Sequence, residues 1–164
     1  MTIDLGRLMD RSEEIWESSI LPSLSDFIEI KALSPLFEPN WAEMGELDAT
    51  IELFCEWLND QGIEGMSYEK HRIGELSPVL IVTIEGTGPG EVIFYSHLDK
   101  QPSKPELWSE GLHPLKAVRR DPWLYGRGSV DDGYGGYLCA TSVSSCKSGR
   151  PPSPLYHDYR DMRG

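Results

Sequence analysis

The residues best suited to chemistry are one histidine and a few aspartates, which lie in two short stretches of the chain. His97 and Asp99 follow an apolar run at positions 92–94, and Asp131 follows a glycine-rich turn. Neutral imidazole and carboxylate oxygen are ligands that zinc accepts. At the end of a strand, one of two alternate side chains can face a metal ion while the other holds the imidazole from behind. The two stretches together therefore predict a metal site.

Each of these residues also has a structural interpretation. A histidine can be a core residue with a satisfied hydrogen bond, and an aspartate after a glycine-rich turn is often a helix N-cap. Asp132 is better interpreted as an acidic residue in the first turn of a helix than as a ligand. His71 and His113 belong to no partner pattern, so we interpret both as structural. Arg127, between two glycines, is expected to anchor the turn to a neighbouring carbonyl or carboxylate.

Two motifs in a fixed order make the signal specific. A His-x-Asp stretch precedes a Gly-Arg-Gly-x-x-Asp-Asp stretch, here His97-Leu98-Asp99 and Gly126-Arg127-Gly128-Ser129-Val130-Asp131-Asp132. In these motifs the sequence resembles the zinc peptidase family of glutamate carboxypeptidases, carnosine dipeptidases and acetylornithine deacetylases. The flanking residues also resemble the peptidase branch: Gln101-Pro102, Trp108, Gly111-Leu112 and Leu124-Tyr125. Many members carry Lys-Gly after the paired aspartates where this chain has Gly133-Tyr134-Gly135, which bears on the subgroup alone.

The resemblance implies a hydrolase that cleaves the amide bonds of small peptides with two zinc ions. By this resemblance His97 binds one ion, Asp131 bridges both ions, and Asp99 has a catalytic role because it orients the general-base glutamate. The implied substrate is a small peptide, or an N-acyl amino acid if the chain resembles the deacylases and deacetylases of the family. Full-length members form homodimers in some cases, so a homodimer is a further expectation.

The resemblance covers about residues 5–149, the front portion of a catalytic domain. The family completes its site with a Glu-Glu pair after the next strand, a further aspartate and a histidine near the C-terminus. This sequence stops before all of these. We therefore predict that residues 1–149 are the N-terminal part of a catalytic domain and that the chain alone is inactive or nearly so. The alternative is a non-catalytic, truncated fragment that keeps part of the fold and cannot assemble the site, or at most binds metal weakly.

Residues 150–164 do not continue the expected pattern. A buried strand should follow, but the tail has almost no aliphatic residues and no strand alternation. When one base is dropped from its codons, with the arginines written as CGN, they can encode a β-branched strand that ends in Glu-Glu. We interpret residues 150–164 as an aberrant, frameshifted tail in which His157 is no ligand. The other interpretation is that residues 150–164 are correctly encoded and form a genuine C-terminal segment that differs from the family pattern.

The rest of the pattern predicts an α/β fold, which the resemblance specifies as a partial, truncated three-layer sheet-and-helix catalytic domain of a zinc exopeptidase. Apolar spacing predicts a helical region over about residues 3–33, in which Pro22 begins a second helix or kinks a long one, and a helix over 45–60. Strands are predicted at 65–73, 78–84 and 91–95, then a hairpin over 116–125 and a helix over 132–147. Strand 91–95 is apolar on both faces, which favours a sheet covered by helices.

The composition excludes several classes of partner. The formal net charge is −12, from 27 acidic and 15 basic residues, and such a surface repels nucleic acid and anionic lipid, although simple solubility also explains it. No stretch approaches the roughly 20 apolar residues of a membrane span, and the N-terminus lacks a signal-peptide pattern. The three cysteines show no metal-type spacing, so we predict that they are reduced and that the protein is cytoplasmic.

Overall fold

The computed structural model describes residues 5–147, so the predicted aberrant tail lies outside the described residues. The chain begins with a helical run of three parts: α1 (Leu5–Ile15), a π-helical turn (Trp16–Ile20) and α2 (Leu21–Glu29). Pro22 is the second residue of α2 and directly follows the π-helical turn. Ile20 and Leu21 keep helical dihedral angles, so the helical run continues into α2. Pro22 is predicted to begin a second helix or to kink a long one, and it lies where a π-helical turn interrupts the run and α2 begins; α2 ends at Glu29 rather than near residue 33.

Two further helices, α3 (Trp41–Met44) and α4 (Glu46–Asp60), follow in the chain. Gly45 separates them with a φ of 68°, a left-handed conformation that glycine adopts without a steric penalty. The face of α4 that the sequence predicts to be apolar is buried, with Leu47, Ile51, Phe54, Trp57 and Leu58. The helix over 45–60 is therefore confirmed almost to the residue.

The strands form two separate antiparallel pairs. β1 (Met66–His71) pairs with β2 (Val79–Ile84), and β3 (Val118–Arg120) pairs with β4 (Trp123–Tyr125) as the predicted hairpin. A short 3₁₀ turn at Pro105–Leu107 precedes the hairpin, and α5 (Gly133–Lys147) follows it. The mixed α/β class is confirmed. The finer prediction, a partial and truncated three-layer peptidase domain, stays a prediction.

The prediction of a buried strand at residues 91–95 is wrong for the described part of the chain. Ile93 and Tyr95 are each 83% exposed, and Phe94 is 54% exposed. An extended segment becomes a strand only when its N–H and C=O groups pair with a neighbour, and within residues 5–147 no strand pairs with this run. The nearest pairing is a parallel bridge between Leu33 and Lys100.

The main hydrophobic core joins α2, α4 and α5. Tyr137 of α5 packs edge-on against Phe54 and Trp57 of α4, with ring centroids 5.1 and 4.7 Å apart. Its hydroxyl forms a buried hydrogen bond of 2.8 Å with the Ser23 hydroxyl of α2. Aromatic pairs of this kind contribute about 0.5–1.5 kcal/mol beyond their buried area. These contacts fix the position of α5 relative to α2.

The sequence predicts that the chain has no membrane-spanning helix and that its cysteines are reduced. Between Leu5 and Lys147, no helix combines the length and the apolar character that crossing a bilayer demands. Cys55 and Cys139 are free thiols, as predicted, and burial raises the pKa of each. The cytoplasmic location stays a prediction.

Candidate metal-binding site

The structure brings together the three residues that the motifs single out. His97 and Asp99 lie on the irregular segment before the Leu33–Lys100 bridge, and Asp131 lies just before α5. The His97 Nδ1 atom is 3.0 Å from Asp99 Oδ1, and the His97 Nε2 atom is 3.3 Å from Asp131 Oδ1. This is the proximity that the paired motif predicts, whereas the roles of ligand and catalytic group stay predictions.

The two sides of the His97 ring have different electrostatic surroundings. Nδ1 faces both the carboxylate and, at 3.1 Å, the main-chain carbonyl of Asp99, so the ring proton is best placed on Nδ1. The Nε2 lone pair then points toward a carboxylate oxygen of Asp131. Two electron-rich atoms at this distance repel each other unless positive charge lies between them. That charge can be a second ring proton or a metal ion.

The separation of these two atoms suits a shared metal ion. Two ligands of one tetrahedral zinc ion, each about 2.0–2.1 Å from the metal, lie roughly 3.3–3.4 Å apart. The observed distance between Nε2 and Asp131 Oδ1 is 3.3 Å. The Asp131 side chain is 63% exposed and the His97 side chain 32% exposed, so an ion has access to both donors.

The donor set is nevertheless incomplete within the described residues. Zinc usually takes three or four protein ligands, and His97 and Asp131 supply two. Asp99 is turned to the far side of the imidazole ring, where it holds Nδ1. No group of three or more histidine, cysteine, aspartate or glutamate side chains suited to a metal occurs among residues 5–147. The residues present fit part of a zinc site.

Asp132 holds the main chain of His97, a role that the sequence interpretation missed. Its Oδ2 accepts a hydrogen bond of 3.3 Å from the His97 backbone N–H. Gly135 allows this approach, because a Cβ there would lie 2.7 Å from Asp132 Oδ1 and 2.9 Å from the Ser96 hydroxyl. The peptide bond between Asp131 and Asp132 is cis. Since α5 begins at Gly133, Asp131 lies two residues before the helix rather than next to its first turn.

The glycine-rich turn is tied down as predicted. Arg127 donates a hydrogen bond of 3.2 Å from Nη2 to the Pro102 carbonyl, and its backbone N–H donates one of 2.8 Å to the Pro114 carbonyl. Arg127 therefore anchors the turn through carbonyl groups, which confirms its expected structural role. Gly128 has a φ of 87°, a left-handed conformation that favours glycine.

The other described histidines have local partners and lie in no cluster of metal donors. His71 Nε2 is 3.0 Å from Glu69 Oε2 on the same strand. His113 Nδ1 accepts a hydrogen bond of 3.1 Å from the Leu115 N–H. Both arrangements agree with the structural interpretation, and His157 lies outside the described residues.

Lys100 is buried, which the sequence pattern did not predict. Its side chain is 1% exposed, and Nζ donates hydrogen bonds to the carbonyls of Phe27, Ile28 and Ile30. Burial lowers the pKa of Lys100 to about 7, and the Glu46 carboxylate acts in the opposite direction. A lone lysine in a polar stretch is usually exposed at the surface, so the sequence pattern does not predict that Lys100 is buried.

Comparison with solved structures shows a likeness in fold. The fold is similar to part of human carnosine dipeptidase 1. The crystal structure of that protein matches with a TM-score of 0.62 and 20% sequence identity, over 83% of this chain and 30% of the dipeptidase chain. At this identity the likeness shows the fold alone, and this chain spans less than a third of the dipeptidase. No protein-family model matches the sequence, and no curated protein matches it in sequence.

Proposed function

We propose that residues 97–132 form part of the zinc site of a peptidase-type hydrolase. The observation that carries this proposal is the arrangement around the His97 ring. Asp99 occupies the Nδ1 side at 3.0 Å, and Nε2 faces Asp131 Oδ1 at 3.3 Å, the spacing of two ligands on one ion. The fold likeness to a carnosine dipeptidase, which extends over 83% of this chain, supports the class of reaction.

Each residue has a distinct part in this proposal. His97 Nε2 and Asp131 Oδ1 bind the ion, and Asp99 accepts the Nδ1 proton, which fixes the tautomer and raises the basicity of Nε2. Asp132 holds the His97 main chain through the N–H group. A bound zinc ion supplies Lewis-acid polarisation of an amide carbonyl. The exposed side chain of Asp131 has a second oxygen, which in a complete family member would serve a second zinc ion.

The proposed substrate is a small peptide, with an N-acyl amino acid as the alternative of the same reaction class. In both cases the bond cleaved is an amide, so the site chemistry described above serves either. Homodimer formation by a longer protein and a cytoplasmic location belong to the same proposal. Neither nucleic acid nor a membrane is proposed as a partner.

We further propose that the 164-residue chain binds metal without appreciable turnover. Two donors leave an ion weakly held, and residues 5–147 contain no group of three or more histidine, cysteine, aspartate or glutamate side chains suited to a metal. A positioned general base is typically worth 10²–10⁴-fold in rate. The hydrolase interpretation and the fragment interpretation therefore both predict no appreciable turnover by this chain, and the fragment interpretation allows weak metal binding at most.

Calorimetric zinc titration of the purified chain tests whether His97 and Asp131 bind the metal, and a dipeptide hydrolysis assay tests for turnover. The wild type should bind zinc, and His97→Ala and Asp131→Asn should each weaken binding by at least about tenfold, because each removes one of two donors. His113→Ala is the matched control and should bind like the wild type, since His113 serves the Leu115 N–H. Equal affinity in all four proteins would contradict the proposed site. Dipeptide hydrolysis above the His97→Ala background would contradict the proposed inactivity.

A further inference from the structure

Lys100 joins the segment that carries His97 to the end of α2. The last carbonyls of a helix have no intrahelical partner, and the C-terminal end of a helix carries a partial negative charge. Lys100 Nζ uses this arrangement: it donates to the Phe27 carbonyl at 2.5 Å, to the Ile28 carbonyl at 3.2 Å and to the Ile30 carbonyl. One side chain thereby contacts three carbonyl groups around the end of the helix, of which the Phe27 carbonyl also accepts the Ile30 N–H at 3.2 Å.

The main chain of Lys100 makes a second connection to the same region. Its N–H donates to the Ala32 carbonyl at 2.8 Å, and its carbonyl accepts from the Ser34 N–H at 3.0 Å. These two bonds form the parallel bridge between Leu33 and Lys100. Lys100 follows Asp99 directly, so these bonds fix the point at which the His97–Asp99 segment leaves the site.

The glycine-rich turn that leads to Asp131 packs against Phe27 and Lys100 as well. The Lys100 ammonium lies 4.1 Å from the centre of the Phe27 ring. A Cβ on Gly128 would lie 2.8 Å from Phe27 Cε1 and 3.0 Å from Lys100 Cε, and a Cβ on Gly133 would lie 2.3 Å from Phe27 Cε1. The backbone on both sides of Asp131 therefore packs against Phe27, and at Gly128 also against Lys100.

We propose that Lys100 is a positioning residue for the candidate metal site. It touches neither the metal position nor the reacting atoms, and it acts by holding His97 at the correct separation from Asp131. The carbonyls at the end of α2, the His97–Asp99 segment and the Gly126–Gly133 turn meet at Lys100 and Phe27, so a loss of the Nζ contacts loosens the two donors relative to each other. This inference rests on the proposed function for its consequence, which is metal affinity.

The test uses Lys100→Met, which keeps an unbranched apolar stem of similar length and removes every donor. Cobalt replaces zinc as the probe, because the position and intensity of its visible bands report the coordination geometry. Leu58→Ala, a cavity in the core on α4 at a fully buried position, is the control for a general loss of stability. All proteins are compared at a temperature at which circular dichroism shows each to be folded.

Lys100→Met should weaken cobalt binding by about tenfold or more and change the visible spectrum, as other outer-shell changes do. Leu58→Ala should bind with the affinity and spectrum of the wild type. An unchanged spectrum and affinity in Lys100→Met would overturn the inference, as would equal changes in both variants. If Lys100→Met does not fold, Lys100→Gln, whose amide keeps two donors on a shorter stem, should give an intermediate loss, and wild-type binding by it would overturn the inference.

A metal-free measurement keeps this outcome separate from that of the proposed function. The ¹⁵N shifts of the His97 ring report which nitrogen carries the proton, and the contact with Asp99 places it on Nδ1. Lys100→Met should show a mixture of tautomers, and Leu58→Ala should keep the wild-type pattern. If the wild type binds no cobalt, the proposed function fails, and the tautomer pattern alone decides the positioning role. An unchanged pattern in Lys100→Met then overturns it.

Discussion

Removing the hydrogen bond between Tyr137 of α5 and Ser23 of α2 should lower the free energy of unfolding. The two hydroxyl oxygens are 2.8 Å apart, and the Tyr137 side chain is 1% exposed while Ser23 is 8% exposed. Tyr137→Phe removes one hydroxyl and leaves Ser23, which has slight access to water, so the expected loss is about 1 kcal/mol. Ser23→Ala strands the fully buried Tyr137 hydroxyl, so the expected loss is about 2 kcal/mol.

The double variant distinguishes this mechanism from a general packing defect. With both hydroxyls gone, no buried polar group is left unpaired, so the two losses should not add. We expect the double variant to be more stable than additivity predicts by about 1–2 kcal/mol. The measurement is urea unfolding at pH 7, supported by thermal melts, in which 1 kcal/mol corresponds to about 2–4 °C for a chain of this size. Additive losses would refute the reasoning.

The same pair predicts a change at alkaline pH. Burial raises the pKa of Tyr137 to about 12, and the hydrogen bond with Ser23 opposes that rise. In the unfolded chain a tyrosine loses its proton near pH 10, so the folded state holds the proton over a range where the unfolded state has released it. This contribution to stability is complete below about pH 10 and declines as the pH rises toward 12. Tyr137→Phe should lack that decline.

Three further predictions concern the site and its support. The pKa of Lys100 is lowered from 10.5 to about 7, so the wild type should gain stability as the pH rises from 7 toward 10, by at most about 1.4 kcal/mol per pH unit. In urea unfolding Lys100→Met should show no such gain. An equal gain in both proteins would contradict the assignment of this pH dependence to Lys100. Gly133→Ala would place a Cβ 2.3 Å from Phe27 Cε1 and 2.4 Å from the Gly128 carbonyl oxygen, so it should cost roughly 1–3 kcal/mol in urea unfolding. Gly86→Ala, where nothing lies within 4 Å of an added Cβ, is its control and should be near neutral. Asp99→Asn should weaken zinc binding by about 10–100-fold in calorimetry, because the neutral amide supports the Nδ1 proton less well, and unchanged affinity would remove Asp99 from the site.

The parts of the fold that the sequence predicts correctly are those that local patterns determine. The apolar face of α4 repeats at helical spacing, and Pro22 marks the first turn of α2, because both signals act within a few residues. The prediction of a strand at residues 91–95 was wrong because it depends on a distant partner. An apolar run states that a segment can be buried, but a strand also needs a partner for its backbone, and that partner is not among the described residues.

The candidate site was predictable in its members and not in its supports. His97, Asp99 and Asp131 are marked by residue type and spacing, and the structure places them together. The contact of Asp132 with the His97 N–H depends on the backbone path before α5. The burial of Lys100 depends on where α2 ends relative to a segment some seventy residues later, as its contact with Ile30 shows. Sequence periodicity contains no term for such long-range contacts.

The most direct test of the candidate metal site is a zinc titration of the metal-free chain followed by ¹⁵N spectra of its histidine rings. His97 should keep its proton on Nδ1, next to Asp99, while its Nε2 resonance shifts and saturates as zinc is added, because Nε2 faces Asp131 at 3.3 Å. His71 and His113, which have other partners, are internal controls and should not follow the same titration. A His97 Nε2 resonance that does not respond to zinc, or that responds no more than His71 does, would contradict a metal site at His97 and Asp131.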